Sequence, residues 1–238
     1  MVSIAGSKKL KRQMAPQFWG ITRKDKRFVI TTKPGPHKKN FAIPTAVFLR
    51  DTLKIVTSLR EAKASIYSGK VKIDGVVRKS LHHAIGLMDV IELENVSDIY
   101  RLVPTEGKIL KPIKINESEK SKKLVRVVTK TSINKETTQT GFHDGRSTLA
   151  EVKAGVGDTC VMQIPDQKIL DIIKLEAGCQ GLVVRGINAG QIGKVESVEE
   201  GTFILPKRVI LILGDKKIEI PADIIMPIGK EEPVIQLK

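Results

Sequence analysis

Residues 45–94, TAVFLRDTLKIVTSLREAKASIYSGKVKIDGVVRKSLHHAIGLMDVIELE, decide the reading of this chain, because helix signals, strand signals and ordered basic residues coincide only here. Thr45 follows Pro44 and precedes Phe48, Leu49, Leu53 and Val56, a spacing that keeps the apolar side chains on one helical face. Arg50 and Lys54, four apart, then share another face. Ser58 with Glu61 three residues later has the capping-box form that starts a second helix, with Leu59, Ala62 and Ile66 as its inward stripe and Arg60, Lys63 and Tyr67 outside. Gly69 supplies a residue for φ > 0 after that helix, and Val71, Lys72 and Ile73 alternate as a strand does. Asp74-Gly75 is a tight-turn dipeptide, so the return strand brings Arg78 and Lys79 near Lys70 and Lys72. A turn at Gly86-Leu-Met-Asp89 feeds the strand Val90-Ile-Glu-Leu93.

Between residues 50 and 79 eight basic residues face three acids, Asp51, Glu61 and Asp74, and the basic ones take the outward positions. A solvated face of mixed charge fits this pattern alone, and so does an RNA-binding surface. The order Ser58-Leu-Arg60-Glu61-Ala62, Ile66, Gly69, Val71, Ile73, Asp74-Gly75 and Gly86-Leu-Met-Asp89-Val90-Ile91 resembles the small RNA-binding module of a small-subunit ribosomal protein, some synthetases and pseudouridine synthases. The resemblance implies two helices and a hairpin gripping structured RNA. Ile43-Pro44-Thr45-Ala46 replaces the basic-apolar-acidic opening common in that family, and Leu59 a common arginine, so Arg60 and Arg50 are the expected substitutes.

The wider composition points the same way. The 238 residues carry 41 Lys and Arg against 26 Asp and Glu, a net +15 with an isoelectric point near 9.8, which calls for a polyanionic partner. Residues 1–42 hold eleven of the basic residues and one acid, whereas residues 173–238 balance nine against nine. Cys160 and Cys179 form no C-x-x-C pair and lie near no histidine cluster, so a reducing setting without zinc or disulfides is expected. His82 and His83 are adjacent and would point to opposite faces of a strand, which disfavours a shared metal. The sequence has neither an apolar run of about 20 residues nor the apolar core of a signal peptide, so a soluble cytosolic protein is expected.

Outward toward the N-terminus, Lys8, Lys9, Lys11, Arg12, Arg23, Lys24, Lys26, Arg27, Lys33, Lys38 and Lys39 fall in clusters without sustained periodicity. Such a segment is expected to be poorly ordered until RNA fixes it, with the cations neutralising phosphates and Trp19 stacking on a base or ribose. A nuclear-localisation signal is the competing reading of a Lys/Arg run, but it needs neither Pro16, Trp19 nor several clusters. Lys9-Leu-Lys11-Arg12, Ala15-Pro16 and Trp19 resemble the N-terminal signature of the archaeal and eukaryotic small-subunit ribosomal family called S-four-e, with Lys9 where histidine is common.

Toward the C-terminus, Tyr100-Arg-Leu-Val103, residues 108–115, Leu124 to Val128 and Cys160 to Ile164 read as strands. His143 beside Asp144 suggests a base with its orienter, yet no nucleophile is marked. Gly181 to Val195 has the close glycines of a small barrel. A P-loop is excluded there, since Asn188 stands where its first glycine belongs and Val195 where its Ser/Thr belongs. The stretch resembles instead the KOW motif, a small β-barrel whose loop touches RNA or protein, and adds Arg185 and Lys194 to the candidates.

The expected fold is therefore α+β and multidomain: a basic arm (1–42), the two-helix and hairpin module (43–105), a β-rich central domain (106–172) and a KOW-type barrel with its tail (173–238). The S-four-e resemblance spans nearly the whole chain, an archaeal member fitting best, and implies a cytoplasmic, non-enzymatic constituent of the small ribosomal subunit. Its expected partners are small-subunit ribosomal RNA and neighbouring ribosomal proteins, with no cofactor, metal, small-molecule substrate, membrane or homo-oligomer. The RNA contacts expected on the module are Arg50, Lys54, Arg60, Lys63, Lys70, Lys72, Arg78 and Lys79. The alternatives are an RNA-modifying enzyme docking through the module, although residues 145–148 read Gly-Arg-Ser-Thr rather than Gly-Arg-Leu-Asp, and a free transcription or translation factor using the KOW element.

Overall fold

The charged N-terminal segment also carries apolar residues, and these fold it onto the module. In the computed structural model, which describes residues 9–94, 96–106, 108–133, 137–149, 152–214 and 216–237, Leu10–Lys11 (β1) pairs antiparallel with Phe28–Val29 (β2). Leu10, Ala15 and Trp19 are buried in one core with Ile43, Phe48, Ile66, Ile85, Ile91 and Leu102. Further along, Lys33 N–H donates to His82 O at 3.0 Å and His82 Nδ1 to Thr31 O at 2.7 Å. The described part of the arm, residues 9–42, is thus packed on the module rather than waiting for RNA, because the partner surface that a charged segment needs is supplied by its own chain. Lys8 lies outside the described residues.

Ile43–Pro44 (β3) leads into Thr45–Val47 (α1), which widens into a π-turn over Phe48–Thr52 closed by Leu53 N–H to Phe48 O at 2.9 Å. Lys54 follows at φ 57°, so it does not continue the helical face of Arg50 as its spacing suggests. Leu59–Tyr67 (α2) begins as expected: Glu61 N–H donates to Ser58 Oγ at 3.2 Å and the Glu61 carboxylate accepts from Ser58 N–H at 3.4 Å. Ala62 and Ile66 are fully buried, while Leu59, in the first turn, is 40% exposed and leaves the inward stripe.

Val71–Ile73 (β4) and Val76–Val77 (β5) form the hairpin, with Asp74 at φ 52° and Gly75 at φ 75° as a type I′ turn between Ile73 and Val76. Ala84–Ile85 (β6) pairs with β3. Val90–Leu93 (β7), Ile99–Thr105 (β8) and Lys108–Ile115 (β9) complete a sheet of order β5-β4-β7-β8-β9. The boundary expected after residue 105 falls inside the β8–β9 hairpin, so β9 belongs to the module's sheet.

Lys122–Ser132 (β10), Thr138–Phe142 (β11), Ser147–Thr148 (β12), Thr159–Gln163 (β13) and Lys168–Ile173 (β14) form the central sheet, ordered β12-β11-β10-β13-β14. Gln180–Val183 (β15), Ile192–Glu199 (β16), Arg208–Leu213 (β17), Lys216–Pro221 (β18) and Ile225–Gly229 (β19) form the last, ordered β18-β17-β16-β15-β19. Among the described residues no pairing joins β18 to β19, so this sheet is an open one rather than the expected closed barrel. Met88, Val103, Leu124, Val161, Leu182 and Met226 share a core that joins all three sheets.

Candidate nucleic-acid interface

The capping box sets the start of α2, and its buried Ala62 and Ile66 turn Arg60, Lys63 and Tyr67 to solvent. The Lys63 ammonium lies 5.6 Å from the centre of the Tyr67 ring. Gly69, at φ +84°, ends the helix, and a Cβ there would lie 3.4 Å from Val77 and 3.5 Å from the Lys79 stem. The hairpin therefore folds back beside the helix end, and Lys70, Lys72 and Lys79 are exposed there with Val76 and Val77. Exposed apolar groups among cations suit RNA, whose sugars and bases need van der Waals partners while its phosphates need charge. Arg78 is half-buried, and its Nε is buried without a hydrogen-bond partner. The Arg50 fork is taken by Asp51, Nη2 to Oδ2 at 2.7 Å and Nε to Oδ1 at 3.1 Å.

On the arm the structure redistributes the expected roles. Trp19 is fully buried and its Nε1–H donates to Ala42 O at 2.8 Å, so its ring is a core anchor rather than a stacking platform. The exposed aromatic is Phe28, flanked by Lys9 at 5.8 Å and Arg27 at 5.3 Å from the ring centre. An aromatic between two cations is the stacking signal that Trp19 suggests in the sequence; the β1–β2 pairing that creates it joins Leu10–Lys11 to Phe28–Val29, two residues each and without a sequence mark of their own. Arg12 is buried, donates through Nε to Thr22 O and lies 3.8 Å from Asp25; Arg23 donates to Gln13 O at 2.8 Å and Ala15 O at 3.2 Å. Both guanidiniums brace the arm's own turns. Lys11, Lys24, Lys26, Lys33, Lys38, Lys39 and Lys54 are exposed. Lys194 is exposed on β16, in the sheet that α2 does not join, and Arg185 stacks on Phe41 at 4.6 Å.

Asp74 is withdrawn from the basic face. Its Oδ1 accepts from Val90 N–H at 3.0 Å, and Oδ2 from Lys123 Nζ at 2.7 Å and Arg146 Nη2 at 2.8 Å. Lys123, fully buried on β10, also meets Asp89 at 2.6 Å and Asp144 at 3.2 Å, and His37 Nε2 donates to Asp89 at 3.0 Å. This network pins arm, module and central sheet together. Burial pushes the Lys123 ammonium down, but Asp89, Asp74 and Asp144 outweigh it and hold it above its usual range. Burial likewise raises Asp89, yet His37 and Lys123 hold it far below the carboxylate range; for Asp74 burial prevails and the carboxyl is raised. His143 is no general base: Nδ1 accepts Arg126 N–H at 3.0 Å, Nε2 donates to Leu87 O at 3.3 Å, and burial pushes it down to about 4.

Set beside known proteins, residues 5–40 match the RS4NT (NUC023) domain and residues 96–169 the ribosomal family S4e. Over its whole length the chain is 37% identical to the small ribosomal subunit protein eS4 of Staphylothermus marinus, covering 98% of that protein. The chain belongs to the S4e family. The eS4 protein of Methanothermobacter thermautotrophicus is 35% identical over 238 residues, again covering all of this chain and 98% of the relative. The crystal structure of the 30S ribosomal protein S4e from Thermoplasma acidophilum superposes with a TM-score of 0.69 at 29% identity, over 81% of this chain and 97% of that one. In this S4e chain the α2–hairpin face and the Phe28 ribbon each combine exposed cations with exposed apolar groups.

Proposed function

We infer that this chain is a structural constituent of the small ribosomal subunit that binds small-subunit ribosomal RNA, in the cytoplasm and beside other ribosomal proteins. The observation that carries the RNA face is the exposed array of Arg60, Lys63, Lys70, Lys72 and Lys79 around Tyr67, Val76 and Val77, from which Asp74 is removed into the interior. On this reading the five cations contact phosphates and fix the orientation of α2 and the hairpin on RNA, while Phe28 with Lys9 and Arg27 forms a second contact. Arg12, Arg23 and Trp19 act by holding the arm in shape. The glycine-rich run of β15 and β16 serves as a KOW-type element; at Gly190, with φ +83°, a Cβ would lie 2.7 Å from Pro104 O and Thr105 Cα, so this loop seats the last sheet against β8. The role is non-catalytic, since the residues that suggested chemistry, His143 and Asp144, are fixed in structural bonds.

Phosphate contacts predict a defined salt response. Lys63→Ala or Lys72→Ala should weaken binding to small-subunit ribosomal RNA for many sequences alike and lower the slope of log affinity against log salt by about one charge. Wild-type slope in both variants would remove this face from the interface.

A further inference from the structure

Apart from the α2 face, the arm, the central sheet and the last sheet enclose a cleft of about 850 Å³. Arm residues 32–41 form its rim with Lys33, Lys38 and Lys39, and Arg126 from β10 and Arg185 following β15 both line it. These are like charges in one recess. Arg185 is held over the Phe41 ring at 4.6 Å, and Arg126 reaches Asp223 through its backbone and carboxylate oxygens, the latter at 3.4 Å. Asp223 is the cleft's one acidic lining residue and is already bonded to Arg126, so the five cations of the lining have a single counter-charge among the described residues. Burial lowers the Arg126 guanidinium from its usual range, Asp223 opposes the shift and Arg185 adds to it. Arg126 Nε is buried without a hydrogen-bond partner.

Between the cations the wall exposes the apolar Val128 and Val184, with Phe142 and Met226 buried behind it and Thr32, His37 and His143 as its polar part. An occupant must therefore join a concentrated negative charge to a flat apolar body, and the cleft has the size of a small-molecule site. A nucleotide has both parts. Guanidiniums match phosphate oxygens, and an apolar wall accepts the face of any base without reading its edge. Lysines along the rim continue the positive surface outward, which suits a strand entering the cleft more than an isolated small molecule.

Resting on the RNA-binding reading above, we propose that this cleft receives one unpaired nucleotide of the bound RNA, its phosphate at Arg126 and Arg185 and its base on the wall of Val128 and Val184. The test uses the full chain with a photoactivatable group on Val128→Cys inside the cleft, or on Lys63→Cys on α2. Selective labelling is favoured because Cys160 and Cys179 are both buried and the Cys160 thiol is pushed by burial up to about 11. Illuminated with small-subunit ribosomal RNA, both should crosslink, the Val128 site to one unpaired nucleotide. Arg185→Gln should abolish the Val128 crosslink and leave the Lys63 crosslink in place. Crosslinking from Lys63 alone, or from Val128 into a paired helix, overturns the cleft proposal while leaving the α2 interface standing. No crosslink from either site overturns the RNA reading and the cleft with it. Protection of Val128→Cys from labelling by a free nucleoside monophosphate, without any RNA crosslink, overturns the assignment to RNA in favour of a mononucleotide.

Discussion

Lys123 shows how one residue can organise a molecule without touching its partner. Three aspartates surround its ammonium at 2.6, 2.7 and 3.2 Å in a site closed to solvent. Lys123→Met keeps the bulk and leaves these carboxylates without their shared cation, which is expected to destabilise the fold by about 3–5 kcal/mol in urea unfolding. Arg146, already bonded to Asp74, should limit the loss, so an unchanged midpoint would mean that it alone can balance the site. His143 sets a pH window. Its ordinary value is 6.5 and the folded value about 4, so between these the unfolded chain binds the extra proton. Stability contributed by the neutral ring is complete above 6.5 and is lost as pH falls toward 4, by about 3 kcal/mol. The cause is first the burial of the ring, with the nearby Lys123 and His37 charges adding to it; protonating Nδ1 would also set it against the Arg126 N–H that it accepts. His143→Gln should flatten the stability profile across this window; an unchanged profile would place the acid sensitivity in the aspartates.

At the scale of elements, the arm depends on two glycines in other parts of the chain. A Cβ on Gly86 would lie 2.3 Å from the His37 ring, and one on Gly145 3.0 Å from Pro36 O. Gly86→Ala is therefore expected to displace the Pro36–His37 segment at a cost of about 1–3 kcal/mol and to raise amide exchange around residues 31–37 while α2 stays protected. Equal loss of protection in α2 would show that arm and module open as one unit. Much of the module was legible in the sequence. Ser58 and Glu61 mark the cap of α2, and Asp74-Gly75 the hairpin turn, because both rest on local hydrogen bonding and backbone sterics. The outward side of Lys63, Lys70, Lys72 and Lys79 followed from the same periodicities. What distant segments decide was not legible. The sequence marks Trp19 as a stacking aromatic, but it is a core anchor, while Phe28 lies outside; only the approach of Ala42 and the pairing of β1 with β2 settle which ring faces solvent. Lys123 has no local mark of burial, since its neutralising acids come from residues 74, 89 and 144.

At the scale of the whole molecule, three five-stranded sheets share apolar cores, and the N-terminal segment is bound across two of them. The positive charge of residues 9–42 thereby becomes a surface on a folded body. A pre-ordered basic surface loses less conformational entropy on docking than a flexible one and keeps its cations in register with a structured RNA. The central claim, that the α2–hairpin face holds this chain on small-subunit ribosomal RNA, is tested most directly by reconstitution. Wild-type chain and a variant with Arg60, Lys63, Lys70, Lys72 and Lys79 all changed to Ser are added to small-subunit particles depleted of the native protein, then sedimented through a high-salt gradient. The account predicts that wild type stays with the particle and the folded variant remains at the top of the gradient; equal retention of the two would contradict it.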